Sequence, residues 1–153
     1  RKLIRGFHLG LVSLSPGGAT VCLPSKTYSM MAGGLAIIAI CPEWSDLGRL
    51  VREHGAGWVI HNSASRHAPD REPNALQSRC TEEIATEFVD LILRLAEQPF
   101  EVESRRLNAV AAMRGPLGVQ SLARQWREVI ERSVNSPSGA FQARQPRRHS
   151  LEI

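Results

Sequence analysis

The fold is decided by residues 9–40, LGLVSLSPGGATVCLPSKTYSMMAGGLAIIAI, in which two apolar runs flank a glycine-containing loop and a short helical segment. The first run, residues 9–14, has the length of a strand and ends at the turn signal Ser-Pro-Gly-Gly of residues 15–18. The second run, Ala36–Ile40, is apolar throughout, which is typical of a parallel strand covered on both faces. Between them, residues 27–32 predict a short helix that ends at a pair of glycines.

The alternation of strand and helix continues in the residues that follow. A helix is expected to begin within residues 42–46, where Glu43 and Asp46 suit the positive end of the helix dipole, and to stop at His54. Residues Gly57–Ile60 predict a third strand. This order implies parallel pairing through right-handed crossovers. The predicted fold class is therefore α/β, a Rossmann-like parallel sheet with flanking helices.

The chain changes character after the third predicted strand. Residues 61–80 are polar and without periodicity, and we interpret them as a surface insertion. Helices follow, the first with Thr81 as its expected N-cap. The expected helices cover residues 81–99, about 101–114 and about 119–133. We therefore assign residues 1–134 to one folded region and residues 135–153 to a disordered basic tail.

Composition and charge exclude several function classes. The chain has 153 residues, 42% hydrophobic and 22% charged, which is ordinary for a globular protein. Its net charge of +4 comes from the two ends, because residues 6–134 together carry a charge of −1. A basic stripe on the folded region is therefore not predicted, and we expect no nucleic-acid partner. The longest apolar run, residues 30–41, is too short for a membrane-spanning helix.

The cysteines and histidines do not predict a metal site. Cys22, Cys41 and Cys80 are widely spaced, with neither a C-x-x-C pair nor a cluster with histidine. Neither a disulfide framework nor a zinc site is indicated by this pattern. We expect no metal and no cofactor.

The loop between the first strand and the first helix is the best candidate site. In parallel α/β sheets, ligands bind beyond the carboxyl ends of the strands. Gly17 and Gly18 would let the backbone approach a ligand closely. The helix start at Ser25, Lys26 and Thr27 would offer N–H groups, hydroxyls and a positive charge to an anion such as phosphate.

Two common phosphate motifs are absent from this loop. A P-loop needs glycine immediately before its lysine, where this chain has Ser25, and no G-x-G-x-x-G fingerprint is present. The alternative interpretation is that the glycines form only a turn and that Lys26 is a solvated residue of the first helical turn. The residues alone leave both interpretations open.

Five segments form an ordered series within about residues 9–133. They are Pro24-Ser25-Lys26, Tyr28, Ala32-Gly33-Gly34, Ala36-Ile37-Ile38 and Arg106-Leu107-Asn108-Ala109. This series resembles the distal part of the nucleotide-binding domain of GT-B glycosyltransferases, in a branch of the group 1, family-4-like members. The resemblance implies a partial C-terminal domain of a GT-B architecture.

The resemblance also implies a function. The full-length protein would transfer a sugar, as a hexosyltransferase, from a nucleoside-diphosphate-sugar donor to a glycan or lipid-linked acceptor. This part would supply the donor diphosphate site, and the isolated chain would be inactive. Two glutamates of many retaining members fall at Val21 and Ser29 here, so Ser29 would stand where a glutamate normally holds the donor ribose. No catalytic residue is assigned.

The same resemblance sets expectations about partners and location. The chain begins with Arg1 rather than Met, and we expect an N-terminal domain to be missing from it. We expect a cytoplasmic protein, with peripheral association at the inner face of the membrane left open. The alternative is a non-catalytic Rossmann-like binding or scaffold module derived from a transferase. The sugar, the nucleotide base, the acceptor and the stereochemical outcome also stay open.

Overall fold

The computed structural model describes residues 6–135 and shows a three-stranded parallel sheet with helices on both faces. The strands are β1 (Leu9–Ser13), β2 (Ala36–Ile40) and β3 (Gly57–Ile60), paired in the order β1-β2-β3. The helices are α1 (Ser25–Ala32), α2 (Asp46–Glu53), α3 (Thr81–Glu97), α4 (Pro99–Arg114) and α5 (Val119–Asn135). The predicted α/β class is confirmed. Of the predicted tail, residues 135–153, only Asn135 is described, and it is the last residue of α5; the rest lies outside the described residues.

The central strand β2 is covered on both faces, which explains its continuous apolar sequence. Ile37 and Ala39 point into one core cluster, which receives residues of α1, α2 and the carboxyl half of α4. Ile38 points to the opposite face, where it packs with Leu91 and Leu95 of α3. Side chains of a strand alternate between the two faces of its sheet, so five consecutive apolar residues supply both cores at once.

Helix α4 crosses the amino ends of the strands. Its first turn meets the face covered by α3, because Trp58 Nε1 of β3 donates to Glu101 Oε1 at 2.9 Å. Further along α4, Arg106 Nε donates to the Gly34 carbonyl oxygen at 2.7 Å, and Asn108 Nδ2 donates to the Gly55 carbonyl oxygen at 3.1 Å. The two glycines lie two residues before the first residues of β2 and β3 and have φ values of 83° and 55°, which favour glycine. Arg106 and Asn108 therefore fasten both helix-to-strand turns.

Helix α5 belongs to a second unit of the chain, which begins at Val119. The helix carries an apolar stripe at helical spacing, and these side chains are exposed. The exposed apolar residues are Val119, Leu122, Trp126, Val129, Ile130 and Val134.

Two predicted helix starts need correction. Thr81 is the first helical residue of α3 and Cys80 holds the N-cap position, so Thr81 does not cap the helix. Helix α2 starts at Asp46, and the Ser45 hydroxyl at its N-cap accepts the N–H of Gly48 at 3.0 Å. Glu43 therefore precedes the helix, and only Asp46 is placed to interact with its dipole in the first turn.

Substitution of Gly57 tests how tightly β2 and β3 approach each other. A Cβ at Gly57 would lie 1.7 Å from the Ile37 carbonyl oxygen, which is backbone and cannot rotate away. We expect Gly57→Ala to lower the free energy of unfolding by at least about 2 kcal/mol, as overpacking does. Urea denaturation measures this change, and Gly17→Ala is the control because a Cβ there meets nothing within 4 Å. Equal stability of the two variants would contradict the close approach.

Candidate functional site

Three loops leave the carboxyl ends of the strands and are tied together there. We call this region, formed by residues 14–24, 41–45 and 61–66, the carboxyl edge. The N–H of Leu14 donates to the Ile40 carbonyl oxygen at 2.9 Å, which extends the pairing of β1 with β2. Asn62 follows β3, and its Nδ2 donates to the Leu14 carbonyl oxygen at 2.9 Å. The side chain of Asn62 therefore links the end of β3 to the end of β1.

The glycines of the predicted site lie in a loop that is stabilised by hydrogen bonds from side-chain hydroxyls within the loop to its backbone. Ser15 Oγ accepts the N–H of Gly18 at 3.2 Å, and Thr20 Oγ1 donates to the Gly17 carbonyl oxygen at 2.9 Å. The N–H of Gly18 is therefore engaged inside the loop. A Cβ at Gly18 would meet Ser15 Oγ at 3.2 Å, whereas Gly17 is exposed and faces open space. Of the two glycines, Gly17 is the one that leaves room for a ligand.

The first turn of α1 places Ser25 and Lys26 at the surface, where an anion could reach them. The N-cap position is Pro24, and no side chain caps the helix. Both Ser25 and Lys26 are exposed, as is Ser29 one turn later. Thr27 is fully buried, and its N–H donates to the Pro24 carbonyl oxygen at 3.0 Å. Of the predicted site residues in α1, Ser25, Lys26 and Ser29 are therefore exposed, whereas Thr27 is buried inside the protein.

The start of α1 also differs in charge from the starts of α2, α3 and α4. Each of those three helices has an acidic side chain in its first turn, which satisfies the helix dipole internally. The first turn of α1 has none and carries Lys26 instead. The dipole and the lysine charge have the same sign there, so this helix start favours an anion from outside the helix.

Polar residues directly after β3 form a part of the carboxyl edge that the sequence did not reveal. Four of the first five residues of the segment are polar and buried. They are His61, Asn62, Ser63 and Ser65. His61 Nδ1 accepts the N–H of Glu43 at 3.1 Å, and the Glu43 carboxylate pairs with Arg66. Burial lowers the pKa of His61 below the usual 6.5, with a further lowering by Arg66 and Arg79 and an opposing effect of Glu43.

The segment 61–80, predicted as a surface insertion, folds back on itself through backbone hydrogen bonds. Ser63 and Ser78 form an antiparallel bridge, and residues Pro73–Leu76 form a short 3-10 helix. Arg79 N–H donates to the Asn62 carbonyl oxygen at 2.9 Å, and its Nη1 donates to the His61 carbonyl oxygen at 2.6 Å. These bonds hold the buried polar residues in place. Composition alone could not show this, because a polar run with prolines is equally typical of a solvated loop.

Among residues 6–135, no three His, Cys, Asp or Glu side chains are grouped so that they could hold a metal ion. No helix in that part of the chain is both long and apolar enough to cross a membrane.

Comparison with models of protein families, with curated proteins and with solved structures finds no match to this chain. The resemblance to GT-B glycosyltransferases therefore stays a prediction from the sequence.

The lowered pKa of His61 predicts how stability changes with pH. The unfolded chain binds the proton at about the usual value, and the folded chain binds it only at lower pH, so protonation favours unfolding. We expect the free energy of unfolding to fall as pH drops below about 6.5 and this contribution to level off below the folded pKa. Chemical denaturation from pH 8 to pH 5 measures the effect. His61→Asn should flatten the curve in that interval, and an unchanged slope would contradict this origin.

Proposed function

We propose that the carboxyl edge binds the diphosphate of a nucleoside-diphosphate sugar and that the full-length protein is a glycosyltransferase with a GT-B architecture. The observation that carries the proposal is the first turn of α1, which is uncapped, free of acidic side chains and occupied by Lys26. This turn follows β1 at the edge where parallel α/β sheets bind ligands. Phosphate is the anion that such helix starts commonly bind.

The chemical contribution of this site is stabilisation of a leaving group. When the glycosidic bond to the donor breaks, negative charge grows on the departing diphosphate. Lys26 and the N–H groups at the start of α1 stabilise that negative charge. They are already in position before the bond breaks, so no reorganisation is needed during the reaction. Ser25 adds a hydroxyl, and Gly17 leaves the space that a phosphate needs beside the loop. No residue is assigned to acid–base chemistry, which would depend on the acceptor and on the second domain that a GT-B architecture implies.

A non-catalytic module that binds nucleotides or serves as a scaffold is the second candidate. It is favoured by Val21 and Ser29, which stand where the resemblance expects two glutamates. A serine can donate one hydrogen bond to a ribose but cannot supply the two acceptor oxygens of a carboxylate. Donor binding would distinguish the enzyme from a scaffold, and turnover by the full-length protein would distinguish it from a module that binds nucleotides. The acceptor, glycan or lipid-linked, and peripheral membrane association belong to the enzyme proposal.

Calorimetry with uridine and guanosine diphosphates tests the diphosphate site. We expect the chain to bind at least one of them, and Lys26→Gln to weaken binding about tenfold, the order of a lost charged hydrogen bond. Lys26→Arg should retain most of the affinity because it keeps the charge. Arg71→Gln, which removes an exposed cation from the segment 61–80, is the matched control and should bind as the native chain does. Binding of neither nucleotide, or equal affinity for the Lys26→Gln variant, would refute the proposal.

Gly17→Ala separates ligand binding from folding. The residue has helical φ and ψ of −65° and −40°, and its Cβ would meet no atom within 4 Å, so the fold should accept alanine. We expect thermal unfolding of the variant within about 0.5 kcal/mol of native, as for other neutral surface changes. A ligand seated against this backbone would meet the new methyl group, and its affinity should fall at least about threefold in the same calorimetric measurement. Unchanged affinity would remove Gly17 from the site.

A further inference from the structure

Strand β1 lies at one side of the sheet, and its backbone bonds to β2 involve only alternate residues. The His8 carbonyl oxygen accepts the N–H of Ala36 at 3.0 Å, and the N–H of Leu14 donates to the Ile40 carbonyl oxygen at 2.9 Å. These bonds mark the two ends of the ladder between β1 and β2. Because successive residues of a strand direct their backbone groups to opposite sides, the even-numbered residues of β1 bond to β2.

The odd-numbered residues of β1 direct their backbone groups away from the sheet. They are Leu9, Leu11 and Ser13, and each presents one N–H and one C=O there. We call this row of groups the open edge. Within residues 6–135 the sheet has no strand beyond β1, and the open edge has no backbone partner. A row of unpaired backbone groups on an extended strand is prearranged for pairing with another strand.

The open edge lacks the features by which proteins usually block edge strands. Such features are charged side chains, proline, β-bulges and covering segments. Strand β1 contains no charged residue and no proline, its pairing with β2 is continuous, and Leu11 at its centre is 52% exposed. The opposite edge strand differs, because no residue of β3 is exposed. Of the two edge strands, β1 is therefore the one that is open to a further strand.

An apolar pocket of about 370 Å³ adjoins the start of β1. It lies on the face of the sheet that α3 covers, because Leu9 and Val102 of its wall pack against the core cluster of Ile38. Leu11 projects to the same face as Leu9, since side chains alternate along a strand. A strand added at the open edge would bury Leu11 and carry its own side chains beside this pocket. Apolar side chains at alternate positions fit such a surface.

We propose that the open edge binds β1 of a second copy of this chain, so that two chains form a dimer with one continuous sheet. Antiparallel pairing about a two-fold axis at Leu11 uses the same residues of both strands. Leu11 then lies opposite Leu11 of the partner subunit, and Leu9 lies opposite Ser13 of the partner subunit. In this register each opposed pair exchanges two hydrogen bonds. The outward N–H and C=O groups of both strands are thereby satisfied.

The distribution of charge favours a second copy over a charged partner. Residues 6–25, which contain β1 and the loop after it, hold no Lys, Arg, Asp or Glu. Two identical strands therefore meet without like charges opposite each other, and a charged partner would find no counter-charge on β1. The two Leu11 side chains lie side by side at the two-fold axis, and cross-strand apolar pairs of this kind stabilise a sheet. The dimer does not depend on the diphosphate site, so a failure to bind nucleotides would leave it unchanged.

Sedimentation equilibrium of the full chain measures the association. We expect a mass of twice the 16.9 kDa of one chain at a concentration of about 100 μM, and dissociation on dilution. Leu11→Lys places two like charges opposite each other at the centre of the pair, and it should raise the dissociation constant at least about tenfold. Ser13→Pro removes an outward N–H and leaves the bonds to β2 in place, so it should weaken the dimer as well.

Two control variants carry the same new charge at other exposed apolar positions. Leu76→Lys is matched to Leu11→Lys in exposure, at 47% against 52%, and lies in the segment that follows β3. Trp126→Lys changes the exposed apolar stripe of α5, which is the other surface through which two chains could associate. Both controls should dimerise as the native chain does. Thermal unfolding of each variant establishes that it is folded at the temperature of the sedimentation experiment.

Hydrogen exchange on the native chain covers the case of unstable variants. The amides of Leu9, Leu11 and Ser13 should exchange at least about tenfold more slowly where the chain is a dimer than where dilution makes it a monomer. A native chain that is monomeric at about 100 μM overturns the proposal, and slow exchange of these amides in that monomer means that another part of the chain covers β1. A dimer that withstands both β1 variants, or that is lost only with Trp126→Lys, overturns it too.

Discussion

The burial of β2 on both faces is the constraint on which the rest of the structure depends. Ile37 and Ile38 are almost fully buried, each on its own side of the sheet. Burying one such side chain contributes roughly 1.5–3 kcal/mol, so the sheet is stable only with helices on both sides. A strand with both neighbours parallel must be entered by crossovers, which bring all three carboxyl ends to one edge. The candidate site is a consequence of that geometry.

The local sequence was sufficient to predict the strands and most of the helices. Periodicity and glycine stops placed all three strands to within one residue, because these signals lie inside the elements themselves. The course of α4 could not be predicted in this way. It depends on Arg106 and Asn108 reaching carbonyl oxygens of Gly34 and Gly55, which are more than fifty residues earlier in the chain. The starts of α2 at Asp46 and of α3 at Thr81 differed from the predicted ones. The position of a helix cap depends on the backbone conformation that precedes the first turn, which the local sequence does not determine.

In the candidate site too, the predictable features are those that depend on residues adjacent in sequence. The exposed positions Gly17, Ser25 and Lys26 follow from a loop and a helix start that adjoin in sequence. The burial of Thr27 does not follow from the local sequence, because packing against the rest of the protein determines which face of α1 is buried. His61 and Asn62 lie in a run whose composition suggests solvent, and their burial arises only when the run folds back through Arg79. The polarity of a residue can be read from the sequence, whereas its solvent accessibility depends on how the chain folds.

The two edges of the sheet differ in how completely their polar groups are satisfied. At the amino edge, side chains of α4 bind the carbonyl oxygens of both left-handed glycines. At the carboxyl edge, His61 and Asn62 each use one end of the side chain to join loops, and the other end is buried with no hydrogen-bond partner within the described part of the chain. An unsatisfied buried group costs about 1–3 kcal/mol, so a sequence shaped by stability alone would replace these side chains with apolar ones of similar size. Among the described residues, Thr27 Oγ1 in α1 and Trp44 Nε1 after β2 are also buried without a hydrogen-bond partner. The unsatisfied groups therefore lie in and beside the carboxyl edge, on the side of the sheet where parallel α/β folds bind ligands.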